Sequence, residues 1–115
     1  MQFIDCKYVK IEIYAPAEAL PVIVAEFSKA GAGRFGLYDH VYTTSAVTGH
    51  WRPLEGAVPT IGSVGKDEQA QELKIEVNCP KELARKVKEA VRKVHPYEAP
   101  VINIIPLCND QIEEL

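Results

Sequence analysis

Cysteine is scarce: Cys6, Cys79 and Cys108 are the only three, too far apart for a CxxC pair or a dense disulfide framework. They read as ordinary thiols of a reducing compartment. Long apolar runs are missing as well, and no stretch approaches the roughly 20 residues of a membrane-spanning helix. The opening MQFIDCKYVKIEIYAP has lysines inside its apolar stretch and no signal-peptide core, so a cytoplasmic location without membrane contact is expected. An excess of positive charge is also absent. With 13 Lys and Arg against 16 Asp and Glu, the formal charge is -3, which argues against nucleic acid as the main ligand, because backbone binding depends on a positive field. A local basic face remains compatible with that balance.

Catalytic signatures are lacking too. Ser45 and Ser63 have no GxSxG context, Ser28 falls in a helical stretch, and Cys79 and Cys108 have no histidine neighbour. Glu113 and Glu114 sit in an acidic tail, where solvation explains them. The chain is therefore read as non-catalytic.

What is present is the pattern of one globular domain over residues 1–115, with hydrophobic residues near half and charged residues near a quarter. In the segment Lys7 to Tyr14, Val9, Ile11 and Ile13 alternate with Lys10 and Glu12, which predicts a half-buried strand. Pro16 suits a helix start, and Leu20, Ile23, Val24 and Phe27 recur at helical spacing until Gly31 offers a stop. From Ala32 to Gln71 periodicity is poor and glycine frequent. YDHVYTTSAVT is β-branched and aromatic enough for a strand, and GHWRPLEGAVPTIGSVG reads as a long excursion that folds over a surface or reaches a neighbour. ELKIEVNC alternates again as a strand. Asn78 or Cys79 is then expected to cap a helix that Pro80 starts. Leu83, Val87, Ala90, Val91 and Val94 form its apolar stripe, opposite Lys81, Arg85, Lys86, Lys88, Glu89, Arg92 and Lys93. Val101 to Leu107 is apolar on both sides except at Asn103, as for a strand covered on both faces or lying in a subunit contact. The tail 108–115 is acidic, and is expected to be a short helix or disordered.

The order βαββαβ predicts an α+β, ferredoxin-like sandwich, with two helices on one face of four strands and a long irregular excursion between the central strands. The other sheet face needs cover, and another copy of the chain is the expected cover.

GAGRFG, Gly31 to Gly36, matches GxGxxG, but it leaves a helix and enters a strand, whereas a phosphate-cradling loop runs from a strand into a helix. Its plain reading is a C-cap glycine followed by a tight turn. His40, His50 and His95 are candidate ligands for a divalent metal ion, provided the excursion folds back to bring Asp39 and Glu55 near them; the plain reading makes them turn and hairpin residues. Trp51 and Arg52 on a loop either mark a contact surface or pin that loop to the sheet. VHPYEAPV is first a corner, since Pro96 ends the helix at His95 and Pro100 delivers an extended chain. The candidate ligand-binding residues are His40, His50, Trp51, Arg52, His95, Tyr97 and Glu98.

From Gly31 onward, GAGRFGLYDHVYTTSAVTGHWRPLEGAVPTIGSVGKDE, ELKIEVNCP and HPYEAP resemble, in order and spacing, the inserted domain of the YqfO (Nif-three-like) family. HPYEAP is also similar to an HPYE-x-P stretch of the CutA divalent-cation-tolerance proteins. The resemblance implies a fold like that of CutA and the PII signalling proteins, typically homotrimeric. Longer members carry two metal ions on a larger domain with no counterpart in these residues, so their metal site and hydrolase activity do not carry over. Val41 and Tyr42 stand where that family tends to have a small residue and a cysteine, His50 and Trp51 fall within its GtGtFrP run, and Val58 replaces a common asparagine. A polar pocket lined by those residues is altered here. The expected function is that of a small oligomeric protein that binds a metal ion, a small ligand or a protein partner in a regulatory role; the alternative is an accessory subunit or remnant of a dinuclear-metal hydrolase.

Overall fold

A computed structural model describes residues 5–112. Strand β1, Tyr8–Ala15, buries every second residue, because Val9, Ile11, Ile13 and Ala15 face the helices while Lys10 and Glu12 face away. A 3-10 turn, Ala17–Ala19, leads into helix α1, Leu20–Lys29, with Pro21 in the first positions, where its missing N–H costs no hydrogen bond. Gly31 follows with φ +103°, the left-handed value that ends the helix as expected. Strand β2 is Tyr42–Trp51 and strand β3 is Glu68–Pro80. A second 3-10 turn, Lys81–Leu83, opens helix α2, Ala84–Val94. Strand β4, Ile102–Leu107, and the short helix α3, Asn109–Ile112, follow.

The four strands form one antiparallel sheet in the order β2-β3-β1-β4, so the fold is the ferredoxin-like α+β sandwich. Ile23 and Phe27 of α1 and Val87 and Val91 of α2 pack on Ile11, Ile13, Ile75 and Val77 of the sheet. Each such side chain contributes about 1.5–3 kcal/mol on burial. Tyr42 meets Phe27 edge to face with ring centres 5.7 Å apart, which ties β2 to the same core.

Two sequence expectations need correction. Asn78 and Cys79 do not cap α2: both still pair with β1, opposite Lys10 and Val9, and the chain leaves the sheet only after Pro80. Much of the segment Ala32 to Gln71 is not excursion but a long hairpin. His50 and Trp51 lie in β2, opposite Gln69 and Glu68, and only residues 52–67 connect the strands. β4 is an edge strand in which Ile102 is buried but Ile104 and Ile105 are 39% and 37% exposed, so of the two readings of this strand the subunit contact is the one left open. Glu113 and Glu114 lie outside the described residues.

β3 pairs with β1 only from Leu73 onward, whereas it pairs with β2 from Glu68. The β2–β3 hairpin therefore reaches past the body of the sheet and carries residues 52–67 at its end.

Candidate functional site

Residues 52–67 are an ordered strap. Gly56, φ +95°, completes a turn in which the Ala57 N–H donates to the Leu54 C=O at 3.0 Å. The Gly65 N–H donates to the Pro53 C=O at 2.7 Å and closes the base of the loop, over a buried Pro53. The Trp51 indole N–H donates to the Ile61 C=O at 3.2 Å, which matches the loop-pinning reading of that residue. The strap then docks on the corner between α2 and β4. The Val58 N–H donates to a Glu98 carboxylate oxygen at 3.0 Å, and the Thr60 hydroxyl donates to the Pro96 C=O at 3.1 Å.

The corner is anchored from beneath by His95, the one buried polar or charged residue among those described. Its Nδ1 accepts the Tyr97 N–H at 3.1 Å, so its Nε2 carries the proton and donates to the Tyr14 C=O at 2.7 Å. Both ring nitrogens are thus engaged with backbone of this chain. Tyr97 lies tilted against the imidazole with ring centres 5.0 Å apart. Its hydroxyl is sealed from water without a hydrogen-bond partner, and burial is the main reason the phenol is pushed up to about 12. The carboxylates of Glu72 and then Glu18 add to that shift. Glu72 reaches this region by lying across Gly49, where any Cβ would collide with its carboxylate.

Of the predicted site residues, His95, Tyr97 and Glu98 form one corner, and the strap beginning at Trp51 and Arg52 folds onto it. Arg52 is exposed and makes no ion pair among the described residues. His50 is exposed near the end of β2. His40 is elsewhere: it precedes β2 with φ +54°, its Nδ1 3.1 Å from Asp39, and the strand's roughly 3.3 Å rise per residue puts about 30 Å between it and His50. Among the described residues no group of three or more His, Cys, Asp or Glu side chains gathers as a metal site. The described residues of one copy therefore do not fit a dinuclear metal centre.

Sequence reasoning missed Thr60 and Glu72, and weighed Val58 only as a side chain in place of an asparagine. Val58 takes part through its backbone and Glu72 through a glycine on the neighbouring strand, and neither leaves a trace in local periodicity. Two surface recesses were also missed. One, of about 490 Å3, runs beside α2 and is lined by Lys81, Arg85, Lys88 and Arg92 with Ile104. The other lies on the open sheet face.

No family model matches the chain. Individual relatives do. It is 38% identical over 98 residues to a GTP cyclohydrolase 1 type 2 homolog of Bacillus subtilis, covering 85% of this chain and 26% of that protein. The protein of the same name from Mycobacterium tuberculosis is 40% identical over 95 residues, covering 83% and 25%. Among solved structures, a Bacillus cereus protein related to NIF3 superposes with a TM-score of 0.77 at 30% identity, over 93% of this chain and 27% of that one. The periplasmic divalent cation tolerance protein CutA of Archaeoglobus fulgidus superposes with a TM-score of 0.65 at 22% identity, over 87% and 83%, a likeness of fold alone. The chain spans about a quarter of the length of the curated relatives it matches.

Proposed function

The chain belongs to the NIF3-related family by the one domain it shares with those longer proteins, and on that premise we propose that it is a non-catalytic, cytoplasmic homotrimer that binds a small ligand or a partner protein where the strap meets the HPYEAP corner. The observation that carries this reading is edge strand β4. Its backbone has neighbours on one side only, and Ile104 and Ile105 are left part-exposed. β2 is the second free edge of the same sheet. Joining β4 of one copy to β2 of the next is a head-to-tail contact, and three such contacts close a ring. The strap hangs from the end of β2, so the ring sets it beside a neighbouring copy.

In this reading His50, Arg52 and Glu98 at the rim meet the ligand, and Trp51, His95 and Tyr97 hold the rim in shape. A divalent metal ion would need ligands from more than one copy, because His40, His50 and His95 are dispersed within one. Among the described residues no helix is long and apolar enough to cross a membrane. The formal charge of -3 is against nucleic acid as the main ligand.

Light scattering after size exclusion, with metal analysis of the same peak, tests the reading. A trimer is expected, with Ile104→Asp and Ile105→Lys shifting mass toward the monomer and His50→Ala lowering any bound metal. A wild-type monomer would sink it. The quarter-length match favours one second reading, an accessory subunit of a dinuclear-metal hydrolase. That reading requires a monomer that forms a stoichiometric complex with a purified chain carrying the remaining family residues.

A further inference from the structure

The glycine-rich stretch Gly31 to Gly36 takes no part in the strap-and-corner junction. Its backbone is fixed all the same. The Gly33 N–H donates to the Asn78 C=O at 2.9 Å, the Val41 N–H donates to the Gly33 C=O at 2.8 Å, and Phe35 and Tyr38 bond each other in both directions at 2.9 Å. Gly33 has φ +85°, and a Cβ there would lie 3.3 Å from both the N and the O of Val41, so glycine lets this loop close against the start of β2. Arg34 is therefore presented from a held backbone.

Arg34 and Phe35 border a recess of about 170 Å3 on the open sheet face, with Lys10 of β1, Thr43 of β2, and Glu76 and Asn78 of β3. Register explains the convergence: Lys10 stands opposite Asn78 and Thr43 opposite Glu76, so all four point to the face without helices. Donors outnumber acceptors in this space. Among the described residues the Arg34 guanidinium and the Asn78 amide have no side-chain hydrogen bond or ion pair, and the Lys10 ammonium reaches only Glu76, at 4.0 Å. The Glu76 carboxylate accepts from Lys74 at 3.2 Å and from the Thr43 hydroxyl at 3.4 Å, and its two oxygens retain capacity for a further donor. The Lys74 bond keeps the Glu76 carboxyl below the usual range, hence ionised, and raises Lys74 in turn.

We propose that this recess binds a phosphate group that still carries a proton. Arg34 offers a planar fork for two oxygens, Lys10 a point charge and Asn78 an amide N–H, while the ionised Glu76 accepts the P–OH hydrogen. The carboxylate supplies selectivity, because a sulfate of similar size and charge has no proton to donate and meets Glu76 as bare repulsion. Volume limits the ligand. Pockets for whole cofactors run from about 300 to 1,000 Å3, so this one holds a phosphate with few further atoms, and not a nucleotide.

The test is an amide NMR titration of the full chain at pH 7.5 and constant ionic strength, with inorganic phosphate, phenyl phosphate and sulfate as probes. Phosphate is expected to move the amides of Gly33, Arg34 and Asn78, with sulfate roughly tenfold weaker. Arg34→Gln, at an exposed position that leaves the fold intact, is expected to weaken phosphate roughly tenfold or more. Glu76→Gln is expected to bring sulfate level with phosphate. A phosphomonoester loses its last proton near pH 6, whereas inorganic phosphate at this pH retains one. Inorganic phosphate is thus expected to bind more tightly than phenyl phosphate, and tighter phenyl phosphate would overturn the proposal, because its dianion has no P–OH for Glu76 to accept. Equal binding of sulfate and phosphate to the wild type, unchanged binding by Arg34→Gln, or shifts confined to Arg85, Lys88 and Arg92 on α2 would each overturn the proposal.

Discussion

The Glu98 carboxylate accepts the backbone N–H of Val58 at 3.0 Å, joining two residues 40 positions apart in sequence. That bond, with the one from Thr60 to Pro96, ties a connection between two strands to a corner between a helix and a strand. Because it is solvent-exposed, its loss is expected to loosen the strap without unfolding the sheet, at a cost of about 1 kcal/mol. Glu98→Ala should speed hydrogen exchange at the Val58 amide several-fold, and Glu98→Gln, which keeps an acceptor, should do so less. Unchanged exchange at Val58 in Glu98→Ala would show that the strap is held by other contacts.

His95→Ala removes the partner of two part-buried backbone groups. The Tyr14 C=O and the Tyr97 N–H are then left without their bonds, and about 2–4 kcal/mol of stability is expected to go with them. Urea unfolding measures it. A loss below about 1 kcal/mol would mean that water replaces the imidazole at no great penalty.

Tyr97 gives the stability a dependence on alkaline pH. Its folded value, pushed up to about 12 by burial and then by Glu72, lies above the unfolded value of about 10. Being raised, it leaves the stability it contributes fully present below pH about 10 and removes it as pH climbs from 10 toward 12, because the unfolded chain releases the proton more readily. Tyr97→Phe should flatten that part of the curve. If stability from pH 9 to 11.5 falls equally in both proteins, another group is responsible.

The three thiols should divide two and one. Cys6 and Cys79 are buried and Cys108 is exposed. Burial, helped by Glu82, pushes the Cys79 thiol up to about 11, so little of the reactive thiolate is present near pH 8. A thiol reagent at pH 8 is expected to titrate one equivalent rapidly in the native protein and three in denaturant. Rapid reaction of Cys79 in the native state would contradict its placement in the core.

Gly31→Ala probes the end of α1. The residue has φ +103°, and a new Cβ would come within 2.7 Å of a Leu83 methyl carbon, so backbone strain and a side-chain collision add. A cost of about 1–2 kcal/mol is expected, read from the shift in the urea midpoint.

The sheet core was legible because its signal is local. Val9, Ile11 and Ile13 alternate, as do Leu73, Ile75 and Val77, and the stripe Leu83, Val87, Ala90, Val91, Val94 repeats at helical spacing, so each element declares its buried face within eight to twelve residues. The corner was legible for the same reason, since Pro96 and Pro100 restrict the backbone wherever they occur. The histidines were harder to read. A metal site formed from His40 and His50 was an open reading because a flexible connection of unknown path allows many meetings; within one copy they do not meet, since His40 precedes β2 and His50 lies near its far end.

Sequence alone determined the four strands, the two long helices, the ferredoxin-like order and the glycine stop after α1, all of which rest on interactions between near neighbours. Only the tertiary structure decided that Glu98 holds Val58, that His95 spends both nitrogens on Tyr14 and Tyr97, and that Arg34, Lys10 and Asn78 turn toward one recess. The Glu98–Val58 and His95–Tyr14 contacts join residues 40 and 81 positions apart, and the recess depends on strand register, which is set by the whole sheet at once.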